Sequence, residues 1–481
     1  MNLRHFINGE FCDPASASWL DNMEPATGKV YAKVAAGNEI DVARAVEAAQ
    51  AAFPAWADTP INDRARIMER IADGIERRRE EFARAESIDN GKPLSLARRV
   101  DIPRAEDNFR FFARAITQWH SEAYDMGSRG FNYVLRRPLG VVGLISPWNL
   151  PLYLFTWKIA PAIAAGNTAV AKPSEITPMT GYLLGEVLQE AGLPAGVLNI
   201  VQGTGPSVGE AIVTHPQVKA ISFTGSTKVG RRIAEVTAGD FKKLSLEMGG
   251  KNASIIFDDA HYDKALQGTL RAGFTNQGQI CLCGSRVLVQ DTIYDRFVAD
   301  LAEGVRKLRI GDPLEEGTDI GAIVSQMQWE KDLAYIELAR QEGGKVICGG
   351  AKAPAPNARC ADGWFLQPTI ITGLGPQCRV NQEEIFGPVV TVQSFTDEAD
   401  AIAKANATPY GLSATLWTND LTRTHRVAAA LETGIVWVNS WMVRDLRTPF
   451  GGVKQSGIGR EGGFEALQFF TEPKNVYVDL G

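Results

Sequence analysis

The sequence predicts an α/β protein, with parallel sheets wound by helices and a small added β element. Three observations carry this. Short apolar runs recur about every 25 residues between 139 and 247, with helix-like stretches between them. A second set of such runs follows between 253 and 439. The chain has 481 residues, more than one hydrophobic core sustains, so at least two domains are expected.

Asp41 to about Thr117 reads as helical. In DRARIMERIADGIERRREEFARA, from Asp63, apolar residues fall three and four apart with charges between them. Pro93 and Pro103 punctuate this stretch. FNYVLRR (131–137) alternates and reads as a strand. GVVGLIS from Gly140, TAVAK (168–172), GVLNIV (196–201), VKAISF (218–223) and KLSLE (243–247) are expected strands of a first, doubly wound parallel sheet. Such sheets hold ligands at the carboxyl ends of their strands. ASIIF (253–257), RVLVQ (286–290), PTIIT (368–372), SATLWT (413–418) and GIVWVN (434–439) suggest a second α/β unit. The tail NVYVDL (475–480) reads as a lone strand that needs a partner outside its own domain. With 131–137 it would form a small sheet joining copies of the chain, or else lie on an edge within one copy.

Composition narrows the partners. At 45% hydrophobic and 22% charged, the chain is ordinary globular material. A net charge of −6 with no long Lys/Arg run argues against nucleic acid. Small molecules and copies of itself are the expected partners. Six cysteines form no disulfide framework, and MNLRHFINGEF is no secretory signal, so a cytoplasmic setting is expected. The uncharged stretch Pro138–Trp157 contains three prolines, Pro138, Pro147 and Pro151, and is flanked by Arg137 and Lys158. It reads as buried core rather than a membrane span.

Several motifs carry possible chemistry. A G-x-G-x-x-G occurs at Gly457, Gly459 and Gly462, but no strand precedes it and the chain ends too soon for the acidic partner. It is rejected as a dinucleotide loop. GTGPSVG (203–209) and GSTKVG (225–230) follow expected strands, as phosphate-binding turns or plain tight turns. KPSE (172–175) could face ribose hydroxyls, where a carboxylate repels a 2′-phosphate, or be a solvated turn. FTNQGQICLC (274–283) sets Cys281 in a polar turn suited to a nucleophile, with Cys283 as the second candidate. The five histidines show no paired ligand spacing, so no metal site is expected. Glu247 ends an apolar strand and could act as a general base or pair with a lysine. Asn149 in ISPWN could donate to an oxyanion or simply form a turn.

The ordered motifs SPWN, AKPSE, SFTGST, LEMGGKN, GQICLC, EEIFGP and PFGGVKQSGIGREGG resemble the NAD(P)-dependent aldehyde dehydrogenase superfamily from about residue 5 to 478. The resemblance implies that family's fold and makes Cys281 the nucleophile. Asn149 and the Cys281 amide would hold the oxyanion, and Glu247 would activate water. Lys158 and Glu461 match positions linked to proton relay. For an NAD cofactor it implicates Ile145, Ser146 and Trp148 at the first turn. Lys172, Ser174 and Glu175 would meet the adenosine ribose. Gly205, Gly225, Ser226 and Val229 would lie by the pyrophosphate and adenine, and Glu384 and Phe386 by the nicotinamide ribose and ring. The implied division is a cofactor domain (1–120 and 139–249), a catalytic domain (250–448), an oligomerisation element (121–138 and 464–481) and a returning segment (449–463) lining the active site.

WNLPLYLFTWK, NQGQICLCGSR and NSWMVRDLRTPFGG resemble the branch containing 2-aminomuconate and 2-hydroxymuconate 6-semialdehyde dehydrogenases. Such substrates carry a carboxylate far from the aldehyde, which calls for fixed cations. Arg104 and Arg444 match basic positions of that branch, and a guanidinium grips a carboxylate with two hydrogen bonds. The rival expectations are a betaine- or benzaldehyde-type or broad-specificity enzyme, acyl transfer to coenzyme A, and a catalytically inactive homologue.

Overall fold

The computed structural model describes residues 1–481. The N-terminal helices form where apolar spacing places them, at Glu39–Asp58, Ile61–Arg77 and Ile102–Gln118. Asn38 opens the first with a capping box: its Oδ1 accepts from the Asp41 amide, and Asp41 Oδ2 accepts from the Asn38 amide. Pro103 sits in the first turn of Ile102–Gln118, where its missing N–H is harmless. Just before it, Ala97–Asp101 winds as a wider π-turn.

The first sheet has eight strands. In spatial order they are Gly457–Ile458, Lys243–Glu247, Val218–Thr224, Val141–Ile145, Thr168–Lys172, Leu198–Ile200, His5–Ile7 and Glu10–Cys12. The middle five are parallel, as expected. Chain direction across the sheet reverses between Val141–Ile145 and Val218–Thr224. Ligands of open α/β sheets bind outside the carboxyl ends at such a point. The register pairs Ile145 with Lys172 and with Phe223, and Thr224 with Glu247, so these carboxyl ends form one row. Gly457 pairs with Glu247 from the other side. Gly459 and Gly462 have positive φ, and none of the three glycines lines the large cleft described below.

The second sheet runs Lys345–Cys348, Thr369–Thr372, Val389–Phe395, Arg286–Gln290, Ala253–Ile256, Ser413–Trp417 and Ile435–Val438. The five runs read from the sequence are all present. Two strands fall outside that reading, the edge strand Lys345–Cys348 and the inner strand Val389–Phe395. The latter's β-branched VVTV follows Gly387–Pro388 directly, a turn signal that went unused. The N-terminal strands also lie outside that reading: Asn2–Leu3, His5–Ile7 and Glu10–Cys12 have only two or three residues each, and Trp19–Glu24 is largely half-exposed.

The tail strand Thr471–Asp479 finds its partner within the chain. It pairs antiparallel with Gly130–Pro138 along nine residues, and Ala123–Asp125 closes the other side. Thr471–Asp479 is therefore an edge strand. No helix is long and apolar enough to cross a membrane.

Helix Tyr262–Phe274 matters most for the site, because its C-terminus feeds the cysteine loop. It packs on the second sheet through Gly268, where an added Cβ would meet the buried Trp417 indole. Gly268→Ala is expected to destabilise the fold by about 1–3 kcal/mol through overpacking, read as a lowered thermal midpoint.

Candidate active site

Past Phe274 the backbone is strained and tightly held. Asn276 and Gln277 both take left-handed conformations, with φ of 54° and 55°, each costing about 1–3 kcal/mol. At Gly278 (φ +70°) a Cβ would strike the Gly387 carbonyl, so the cysteine loop abuts the EEIFGP loop closely. Asn252 Nδ2 donates to the carbonyls of Cys281 (2.7 Å) and Cys283 (2.9 Å), and Trp441 Nε1 to that of Leu282 (3.0 Å). Three successive carbonyls are thus pinned, which fixes where the Cys281 thiol stands.

Cys281 is half-buried and lines a cavity of about 170 Å³ with Trp148, Asn149, Gly249, Glu384 and Phe386. Burial pushes its thiol well above the ordinary value. Glu384 and Glu247 add to that, and Arg444 opposes it. Cys283 is buried among apolar side chains, its thiol pushed up to about 12. Of the two, only Cys281 reaches that cavity.

Asn149 is buried, and its Nδ2 donates to the Gln279 carbonyl at 3.0 Å. That bond uses one of its two N–H groups and leaves the second for the cavity. Glu247 is also buried, and neither of its oxygens has a hydrogen-bond partner. Burial raises its pKa well above the usual range; the Glu461 charge adds to this, and Lys158, Arg460 and Arg444 oppose it. The alternative of a Glu paired to a lysine is therefore not what forms here. The pairing falls instead to Glu461, whose Oε1 accepts from Lys158 Nζ (2.6 Å) and Ser222 Oγ (3.0 Å), all three groups buried.

The row of carboxyl ends opens into a cleft of about 740 Å³. Ile145, Ser146, Trp148, Lys172, Ser174, Glu175, Gly205, Gly225, Ser226 and Val229 all line it. Ser226 caps helix Thr227–Thr237, its Oγ accepting from the Val229 amide at 3.3 Å. Lys172 Nζ lies 2.9 Å from Glu175 Oε2, while Glu175 Oε1 accepts from the Gly205 amide at 3.2 Å. Burial opposes the Glu175 charge, but Lys172 and that amide hold its carboxyl below the usual range. Ser146 Oγ and Thr224 Oγ1 are buried beside the cleft without partners. Such orphaned hydroxyls, glycines without Cβ atoms and a carboxylate facing the opening suit a phosphate- and ribose-bearing ligand.

Glu384 stands where this cleft meets the cysteine cavity, its Oε1 accepting from the Gly250 amide at 2.9 Å. Phe386 holds a left-handed φ of 70° and meets Trp148 edge-on at 5.2 Å. Two residues absent from the sequence reading hold this loop. Lys331 Nζ donates to the Glu384 carbonyl (3.0 Å) and Gln328 Nε2 to the Ile385 carbonyl (2.9 Å). Both lie on helix Gln326–Gln341, far from any motif, so no local signal marks them. Asn252 and Lys251 were also missed, although both belong to the quoted LEMGGKN. Lys251 is buried without a partner and pushed down to about 7, chiefly by burial.

Beside Ile280, the residue before Cys281, a cavity of about 360 Å³ opens between Leu150, Tyr153, Ile280 and Trp441. Arg104 and Arg444 both line it. Both stack on the Trp157 ring, at 4.8 and 5.3 Å from its centroid, and Arg444 also lies 3.9 Å from that of Phe450. Arg104 Nε donates to Asn108 Oδ1 at 3.1 Å, while its Nη2 is buried with no partner. Neither guanidinium has a carboxylate within salt-bridge distance: Asp445 is taken by Arg447 and Asp101 by Lys92, and Asp107, which also lines the cavity, acts on Arg104 only from farther away.

A thiol set between a sugar-phosphate cleft and a cation-lined cavity, on this two-sheet fold, defines an aldehyde-oxidising enzyme. The chain belongs to the aldehyde dehydrogenase family, whose model matches residues 11–476. It is 48% identical over 478 residues to 2-aminomuconic semialdehyde dehydrogenase of Homo sapiens, covering 99% of this chain and 98% of that one. It is 49% identical over 484 residues to 2-hydroxymuconic semialdehyde dehydrogenase of Pseudomonas sp. (strain CF600), covering 99% of both. The NAD+ complex of an aldehyde dehydrogenase from Bacillus cereus superposes with a TM-score of 0.97 at 39% identity, covering 100% of this chain and 97% of that one.

With its thiol pKa raised, Cys281 holds little thiolate near neutrality. Its alkylation by iodoacetamide is expected to rise about tenfold per pH unit from roughly pH 7 to 9 without a plateau, with Cys283 unlabelled. Peptide mass spectrometry over a pH series reads this, and a plateau near pH 8 would contradict it.

Proposed function

We propose that this enzyme oxidises a semialdehyde bearing a distal carboxylate to the dicarboxylic acid, with NAD as acceptor. The observation that carries this reading is the pair of guanidinia without carboxylate partners in the cavity beside Cys281. Two like charges sharing one indole gain most from an anion laid between them. Relatives named for 2-aminomuconic and 2-hydroxymuconic semialdehydes support the same substrate class, in the breakdown of aromatic compounds.

In this mechanism Arg104 and Arg444 seat the carboxylate and aim the aldehyde at Cys281. The Cys281 sulfur, once deprotonated, bonds to the carbonyl carbon. The free Asn149 N–H and the Cys281 amide hold the resulting oxyanion. NAD, held along the cleft, would supply the two-electron hydride acceptor that loss of hydride from that carbon requires, and Cys281 would then carry a thioester. Glu247 then takes a proton from water, the hydroxide adds to the thioester carbon, and Cys281 leaves as the acid is released. A carboxyl whose pKa is raised is a stronger base than an ordinary one, which suits this role. Lys158 and Glu461 lie behind Glu247 as a buried store for that proton. Lys172, Ser174 and Glu175 would hold the adenosine ribose, and the Glu175 carboxylate would repel a 2′-phosphate, favouring NAD over NADP. Glu384 and Phe386 would hold the nicotinamide end.

The same reading assigns 1–120 and 139–249 to cofactor binding and 250–448 to catalysis. It gives 121–138 and 464–481 to assembly of a homo-oligomer through the Thr471–Asp479 edge, and 449–463 to lining the site. It also places the enzyme in the cytoplasm.

Replacing Arg104 or Arg444 by Ala is expected to raise KM for a muconic semialdehyde by about 10- to 150-fold, from 1.5–3 kcal/mol per charged hydrogen bond. KM for an uncharged aldehyde should barely change, and equal losses on both substrates would refute the carboxylate seat. Cys281→Ala is expected to abolish NADH formation while calorimetry still registers NAD binding. Glu247→Ala should slow turnover by about 10²–10⁴ and let acyl-enzyme accumulate, visible by intact-protein mass spectrometry.

A further inference from the structure

Three fully buried ionisable side chains stand behind the site and take no part in the chemistry above. Lys92 Nζ lies 3.0 Å from Asp101 Oδ1 and 3.4 Å from Glu86 Oε1, all three side chains without solvent exposure. Burying three charges is expensive, and an ion cluster of this kind is a poor source of stability compared with apolar packing. Its connections give it a different use. Glu86 Oε2 accepts from the Leu152 amide at 3.4 Å. Leu152 lies in the first turn of helix Pro151–Ala164, which has Leu150 at its N-cap and no side-chain cap of its own. The missing acceptor therefore comes from helix Arg79–Asn90, on another part of the chain. Four residues on from Glu86, Asn90 Nδ2 donates to the carbonyls of Trp148 (2.9 Å) and Asn149 (3.4 Å). Asn276, from the cysteine loop, donates to the same Asn149 carbonyl at 3.0 Å. The turn that carries Asn149 is thus held at both ends by one short segment, Glu86 through Asn90, and that segment is locked by Lys92 to Asp101.

We propose that Glu86 and Asn90, fixed by the buried Lys92–Asp101 contact, are positioning residues that set the Asn149 side chain against the Cys281 thiol. The inference rests on the reading of Asn149 as the oxyanion donor. It needs neither the semialdehyde nor NAD. Asp101 also ends the π-turn Ala97–Asp101, three residues before Arg104. The same lock therefore holds the element that carries one of the two cavity arginines.

The test uses the full-length enzyme and hydrolysis of 4-nitrophenyl acetate, which asks for a thiol and an oxyanion donor but no dinucleotide. Glu86→Leu removes the acceptor for the Leu152 amide, Glu86→Gln keeps one, and Asn90→Ala acts without touching a buried charge. Glu86→Leu and Asn90→Ala are expected to lower kcat about 10- to 100-fold with KM within about twofold, a part of what loss of an oxyanion donor brings. Glu86→Gln should restore most of that loss. In an Asn149→Ala background both substitutions should add nothing, because the group they position is gone. If Glu86→Leu cannot be purified folded, Asn90→Ala decides alone. An undiminished kcat in the single variants, or the same fold loss on top of Asn149→Ala, overturns the proposal. If Asn149→Ala itself leaves ester hydrolysis intact, the oxyanion reading falls and this inference with it, which separates the two failures.

Discussion

One buried amide ties the reactive loop to the rest of the molecule. Asn252, at the foot of strand Ala253–Ile256, donates to two carbonyls of the cysteine loop and accepts from the Ser413 amide at 3.1 Å. A single side chain thus joins the second sheet to Cys281 and to Cys283. Each bond contributes only about 1 kcal/mol net, but leaving any of these buried groups unpaired would cost more. The left-handed turn at Asn276 and Gln277 persists because its far end is held in this way. The sulfur stands at the seam of two sheets, where one face meets the sugar-phosphate cleft and the other the arginine cavity.

Charge is arranged around that seam by a simple division. Lys158 pairs with Glu461, Lys172 with Glu175, and Lys92 with Glu86 and Asp101. Glu247, the Cys281 thiol, and the guanidinia of Arg104 and Arg444 have no such partner. Unpaired burial raises the pKa of the first two, and it is the environment rather than residue type that separates Glu247 from Glu461. The two arginines face a cavity with no carboxylate within salt-bridge distance, and the proposed seat for an anion rests on that.

Much of the site was legible because its residues sit on ends of strands. Lys172 and Glu247 each close an apolar run, and Asn149 follows one by a short turn, so a parallel register brings them to one edge. Cys281 was legible as a polar turn. The fates of the carboxylates were not: Glu247 and Glu461 look equally able to pair with Lys158 along the chain. Gln328 and Lys331 left no trace at all, since they reach the Glu384 loop from a helix more than fifty residues earlier. The inner strand Val389–Phe395 carries a local β-branched signal, VVTV directly after Gly387–Pro388.

The residues alone determined the α/β class and the two sets of parallel strands, because periodicity and turn chemistry are local properties, and they put forward Cys281, Glu247 and Asn149 as candidates. Only the tertiary structure decided which groups are paired and which are free, that the tail strand closes on Gly130–Pro138, and that a buried ion cluster braces the Asn149 turn. Those outcomes depend on burial and on distances between segments as much as three hundred residues apart, as for Lys158 and Glu461. Electrostatic free energy follows separation and solvent access, neither of which is written in chain order.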